Sequence, residues 1–144
     1  VVGSGSDFDR IVRLSGDISN VKCFGQLDWA SIINIYKQSD ILWAQVGDEY
    51  KNAIPSKLYE YLVVGKPIVF GGLNAEHQLV NEVKGLKCIE PENTLALVNI
   101  LKSVSFQYEQ TSFEHIEYNR KIIEENYLRE QQSDSAVEFV LGRV

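Results

Sequence analysis

The chain has 144 residues, 44% of them hydrophobic and three of them prolines, enough to bury the core of one domain over 1–144 and too few for two. Its formal net charge of −6 argues against a nucleic-acid surface, which needs a basic patch or stripe, whereas one anionic ligand needs only a local positive site. No apolar run approaches a membrane span and no signal-peptide pattern opens the chain, so a cytoplasmic location is expected, with any membrane contact peripheral.

Val1-Val2-Gly3-Ser4-Gly5-Ser6 reads as the end of a strand running into a glycine turn. Its G-x-G is incomplete as a dinucleotide fingerprint, because Phe8 stands in the third glycine's place. Asp7-Phe8-Asp9 spells D-x-D, but a hard cation needs several oxygen ligands and only this pair is evident. The two carboxylates fit a helix start instead, with Asp7 as the cap. Ile11, Val12 and Leu14 give that helix an apolar face, and Ser15-Gly16-Asp17 ends it. Residues 21–25 form a short strand, Asp28 caps a helix over 29–38, and 41–46 form a strand too apolar to face water. Cys23 and Cys88 sit in short apolar runs and read as buried thiols rather than a disulfide or metal site.

Between 47 and 52 lies a polar loop. Pro55 then opens a helix, since its φ is preset and it gives up only an N–H that would be orphaned anyway. Ser56 supplies a capping hydroxyl, the helix runs over 57–64, Gly65 ends it, and Ile68-Val69-Phe70 is a buried strand. The N-terminus of such a helix directs N–H groups and a positive dipole end outward, so a phosphate fits there, with Lys57 adding charge. Glu60, one turn in, suits the hydroxyls of a ribose. The alternative is an ordinary exposed pair between Lys57 and Glu60, spaced i,i+3.

After a flexible loop at Gly71-Gly72-Leu73-Asn74, a helix is expected over 75–84, with His77 near its start. A catalytic histidine needs a substrate proton within reach, and a lone histidine without one is structural or exposed. A last strand over 86–89 is broken by Pro91, and an amphipathic helix over 92–104 carries Leu95, Leu97, Val98, Ile100 and Leu101. Residues 106–111 form a connector. A charged helix over 112–130 buries Phe113, Ile116, Ile122, Ile123 and Tyr127, and Ser133 caps a final helix to Leu141. Alternating strands and helices predict an α/β fold: an open, doubly wound parallel sheet with helices on both faces and helices at the C-terminus. Ligands in such sheets bind at the carboxyl ends of the strands, so the loops after Gly5, Phe24, Val46 and Phe70 share one rim.

The stretch P-S-K-L-Y-E-Y-L-V-V-G-K-P-I-V, from Pro55 to Val69, resembles the signature of the retaining, GT-B-fold glycosyltransferases of family 4. In that family it lies in the C-terminal, Rossmann-like domain that binds a nucleotide-diphosphate sugar. The resemblance implies that the amides of Ser56, Lys57 and Leu58 receive the diphosphate and that Glu60 holds the ribose. V-K-C-F-G-Q-L resembles the strand whose following loop meets the nucleobase, making Gly25 and Gln26, with Gly5 on the same rim, base-contact candidates; a plain turn remains open for Gln26. Asn52 stands where the family's E-x7-E has its first glutamate, and an amide there still hydrogen-bonds sugar hydroxyls without a charge. The resemblance implies no metal, no cofactor beyond the nucleotide sugar, and no catalytic side chain that can be named.

It further implies a fragment. The opening V-G-x-G resembles the end of the donor domain's second strand, so the first strand and the N-terminal acceptor-binding domain are absent and the chain alone is inactive. The order 3-2-1-4-5-6 puts that first strand mid-sheet, so either the gap closes directly or chains pair, which leaves homo-oligomerisation open. The full protein is then a glycosyltransferase of cell-surface polysaccharide or glycolipid synthesis. Two alternatives stand beside it: a non-catalytic α/β module for a phosphate or nucleotide, and a fragment of a GT-B-like nucleotide-sugar epimerase.

Overall fold

Three short apolar segments form the sheet of this α/β chain, whose computed structural model describes residues 1–50, 53–72, 77–107 and 113–128. Strands β1 (Leu42–Gln45), β2 (Ile68–Gly71) and β3 (Leu86–Ile89) run parallel in the order β1-β2-β3, with Leu42 opposite Ile68 and Ile68 opposite Leu86. All four residues of β2 are buried, as a central strand requires. On β1, Trp43 is 36% exposed and Gln45 is exposed as well, which corrects the expectation that 41–46 is wholly withdrawn from water. Among the described residues β1 pairs only with β2, and alternate side chains of such an edge strand can stay in water.

Two compact units make up the chain, Val1–Gln38 and Ser39–Val144. In the first, the two expected strands reduce to a single parallel bridge between Val2 and Phe24, supported by Phe24 N–H donating to Val1 O at 2.8 Å. Gly3, at φ 143, turns the backbone out of the range that side chains tolerate and stops the ladder there. Helix α1 (Phe8–Ser15) follows Asp7, whose carboxylate takes the Arg10 guanidinium at 2.6 Å instead of capping the helix. That hydrogen bond holds the Asp7 carboxyl below the usual range. No residue of α1 is buried and Leu14 is 66% exposed, so its expected apolar face stays uncovered within this short unit. Helix α2 (Trp29–Gln38) is capped as expected. Asp28 accepts from the Ser31 amide at 2.9 Å and the Ser31 hydroxyl at 3.0 Å, and those bonds hold its carboxyl low.

In the second unit, α3 (Ser56–Val64) lays Leu58 and Leu62 into a core completed by Ile68, Val69, Phe70 and Leu79. Gly71 is the last residue of β2 and Gly72 N–H donates to Ile89 O at 3.0 Å, so these two glycines, expected in a flexible loop, are held at the end of the sheet. Helix α4 (Gln78–Glu82) is shorter than expected, because Val83 is extended and Gly85 turns at φ 76. Helix α5 (Thr94–Gln107) takes in Phe106 and Gln107, expected in a connector. Its start is set by Asn93 Oδ1, which accepts from Ala96 N–H at 2.9 Å. Leu95, Val98 and Leu101 on α5 are exposed. Helix α6 (Phe113–Asn126) packs on α3, burying Ile123 and half-burying Ile116, Ile122 and Tyr127. Cys23 and Cys88 are free and half-buried rather than buried, and burial pushes the Cys88 thiol up to about 11. Asn52, Leu73-Asn74, residues 108–111, the side chain of Phe113 and the final helix to Leu141 lie outside the described residues.

Candidate functional site

A parallel crossover from β1 through α3 to β2 must begin its helix beyond the carboxyl end of β1, and the chain between them is short and folded on itself. Tyr50 N–H donates to Gly47 O at 2.9 Å across a 3-10 turn over Asp48–Tyr50, and Ala53 N–H donates to Tyr50 O at 2.8 Å. Pro55 then holds the N-cap position at φ −72 and ψ 146. Ser56 is therefore the first helical residue and not the cap, which corrects the sequence expectation: the proline's preset φ fixes the start one residue earlier. No side chain caps the helix.

The first-turn amides are not equivalent. Leu58 N–H donates to Pro55 O at 2.9 Å. The amides of Ser56 and Lys57 belong to the set that no helix can satisfy internally, and they stand at the positive end of its dipole. Helical spacing puts Ser56, Lys57 and Glu60 on one side, while Leu58 and Leu62 bury the other. Ser56 and Lys57 are exposed and Glu60 is half-buried. Lys57 makes no ion pair among the described residues, so the surface pair with Glu60 is not formed. The structure thus gathers three of the expected donor-site residues on one patch and directs Leu58 into the core.

Gly5, Gly25 and Gln26 belong to the other unit, Val1–Gln38. There Gly5 O accepts from Phe8 N–H at 3.0 Å, Gly25 O accepts from Gly3 N–H at 3.4 Å, and Gln26 is exposed. His77 is the N-cap of α4, its Nδ1 accepting from Leu79 N–H at 3.2 Å. Among the described residues no three His, Cys, Asp or Glu side chains come together as a metal cluster.

Sequence reasoning missed a polar junction behind α3. Glu82 on α4 accepts from Gln78 Nε2 at 2.6 Å and from the Tyr127 hydroxyl at 2.8 Å, and the Tyr127 ring lies 5.6 Å from that of Tyr59 on α3. The Gln78 bond first, then that of Tyr127, holds the Glu82 carboxyl below the usual range, while burial and the same bond push Tyr127 up. Only the Gln78–Glu82 spacing is visible in the sequence; the tyrosine partner is 45 positions away.

No helix among the described residues is long and apolar enough to cross a membrane. Neither a family model nor a curated protein sequence matches the chain. Among solved structures the chain is similar to AviGT4, a glycosyltransferase involved in Avilamycin A biosynthesis, with a TM-score of 0.53 and 16% identity. The match covers 85% of this chain and 40% of that one. At that identity the likeness is one of fold: a parallel, open, Rossmann-like α/β sheet.

Proposed function

We propose that the chain is the donor-binding half of a retaining, family 4 glycosyltransferase and binds a nucleotide-diphosphate sugar at the start of α3. The observation that carries this reading is the division of labour in that first turn. Pro55 closes the turn through the Leu58 amide, and the amides of Ser56 and Lys57 are left directed at solvent beside a lysine ammonium. In sugar transfer, negative charge grows on the departing diphosphate, and preorganised donors there lower the barrier. Ser56 and Lys57 supply them, and Glu60 accepts from the ribose hydroxyls one turn further along. The match covers 40% of AviGT4. On this reading acceptor binding belongs to a separate domain, and the chain alone transfers no sugar.

Calorimetric titration with UDP, GDP and ADP tests this. One of the three should bind, and Glu60→Ala should weaken it roughly tenfold or more, the usual worth of hydrogen bonds to a charged group. Binding indifferent to Glu60, or no binding, favours a non-catalytic α/β module instead.

A further inference from the structure

We infer that His77 is a further binding residue of this site, donating its Nε2–H to a phosphoryl oxygen of the nucleotide diphosphate, an inference that rests on the donor-site reading above. The topology puts it on the right edge. His77 follows β2 as the start of α3 follows β1, and these are neighbouring parallel strands with Gln45 opposite Gly71. Val46 and Gly72 both stand at the carboxyl edge of the sheet, where Val46 N–H donates to Gly71 O at 2.9 Å and Gly72 N–H to Ile89 O at 3.0 Å.

The hydrogen bonds of His77 then fix what its ring offers there. Nδ1 accepts from Leu79 N–H, so in the neutral ring the proton is on Nε2, the nitrogen across the imidazole from that bond. His77 O accepts from Val80 N–H at 3.0 Å and from Asn81 Nδ2 at 3.3 Å, and Leu79 is fully buried. Backbone and ring are thus held before any ligand arrives, and Nε2 has no partner among the described residues. A preorganised donor costs little ordering entropy on binding. With five residues, α4 is too short to hold an anion through its own amides, so the contact is the imidazole's alone.

A cap-preserving substitution separates this role from the structural one. Serine retains a side-chain acceptor for the helix amide and lacks the Nε2–H. His77→Ser should weaken nucleotide-diphosphate binding roughly three- to tenfold, the worth of one hydrogen bond, while leaving the melting temperature close to that of the parent chain. In the unsubstituted chain, long-range nitrogen–proton NMR should show the Nε2–H tautomer, with the Nε2 resonance moving on saturation with UDP, GDP or ADP, whichever binds. Unchanged affinity in His77→Ser together with an unmoved Nε2 resonance overturns the inference while leaving the donor-site reading in place. Absence of binding by the unsubstituted chain overturns both.

Discussion

Gly65 ends α3 in the left-handed region, at φ 75 and ψ 23, and a Cβ there would collide with the Ile116 side chain of α6. Both constraints act against any other residue. Gly65→Ala should cost about 2–5 kcal/mol, adding the left-handed penalty to that of overpacking, and urea unfolding would measure it. Asn119 is 2% exposed on α6 and grips one residue by both backbone groups. Its Oδ1 accepts from Lys84 N–H at 2.7 Å, and its Nδ2 donates to Lys84 O at 2.9 Å. Asn119→Ala should lose about 1–3 kcal/mol in the same assay, and Asn119→Asp should not restore it, because a carboxylate has no donor for Lys84 O. The helix-ending role of Gly65 is legible in the sequence from G-K-P; its contact with Ile116 is not. Asn119 reads only as a gap in an apolar stripe, since the partner that explains it lies 35 positions upstream.

At the scale of elements, α3, β2, β3 and α2 follow from local chemistry: a proline or aspartate at the start, glycine at the stop, and an apolar run between turn residues. The ends that shifted did so for equally local reasons, as when Pro55 rather than Ser56 took the N-cap. How α3, α4 and α6 join was illegible, and the hydrogen bonds at that junction predict a pH dependence of stability. The Glu82 carboxyl lies below its ordinary 4.5 in the folded chain. Its contribution is therefore present above that value and is lost as pH falls through the lower folded one. Glu82→Gln keeps an acceptor for Tyr127 but does not titrate, so its stability should fall less than that of the parent chain as pH drops below 4.5. Paired urea titrations from pH 6 down to about pH 3 would show parallel losses if Glu82 plays no such part. Tyr127 has the opposite sign on the alkaline side. Its phenol is raised above 10, so its contribution is present below that pH and lost above it, and Tyr127→Phe should remove that dependence.

Across the whole molecule, the alternation of strands and helices was enough to specify a parallel α/β sheet, and β1, β2 and β3 lie side by side in chain order, as successive strands of such a sheet do. In the first unit the two expected strands are reduced to the Val2–Phe24 bridge, one residue pair. Composition did not reveal that reduction: Val21-Lys22-Cys23-Phe24 has strand chemistry, but a ladder needs a partner that runs on past Gly3. The grouping of Ser56, Lys57 and Glu60, the proposed donor patch, was legible because helical spacing puts them on one side of α3. Which amides remain available was not, because the Leu58–Pro55 hydrogen bond is a property of the folded turn. The most direct test watches those amides. In a proton–nitrogen correlation spectrum titrated with UDP, GDP and ADP, saturation with one of them should move the Ser56 and Lys57 amide resonances downfield while Leu58 shifts less. Saturable binding that leaves Ser56 and Lys57 unmoved, or resonances unmoved by all three nucleotides, would contradict a donor site at the start of α3.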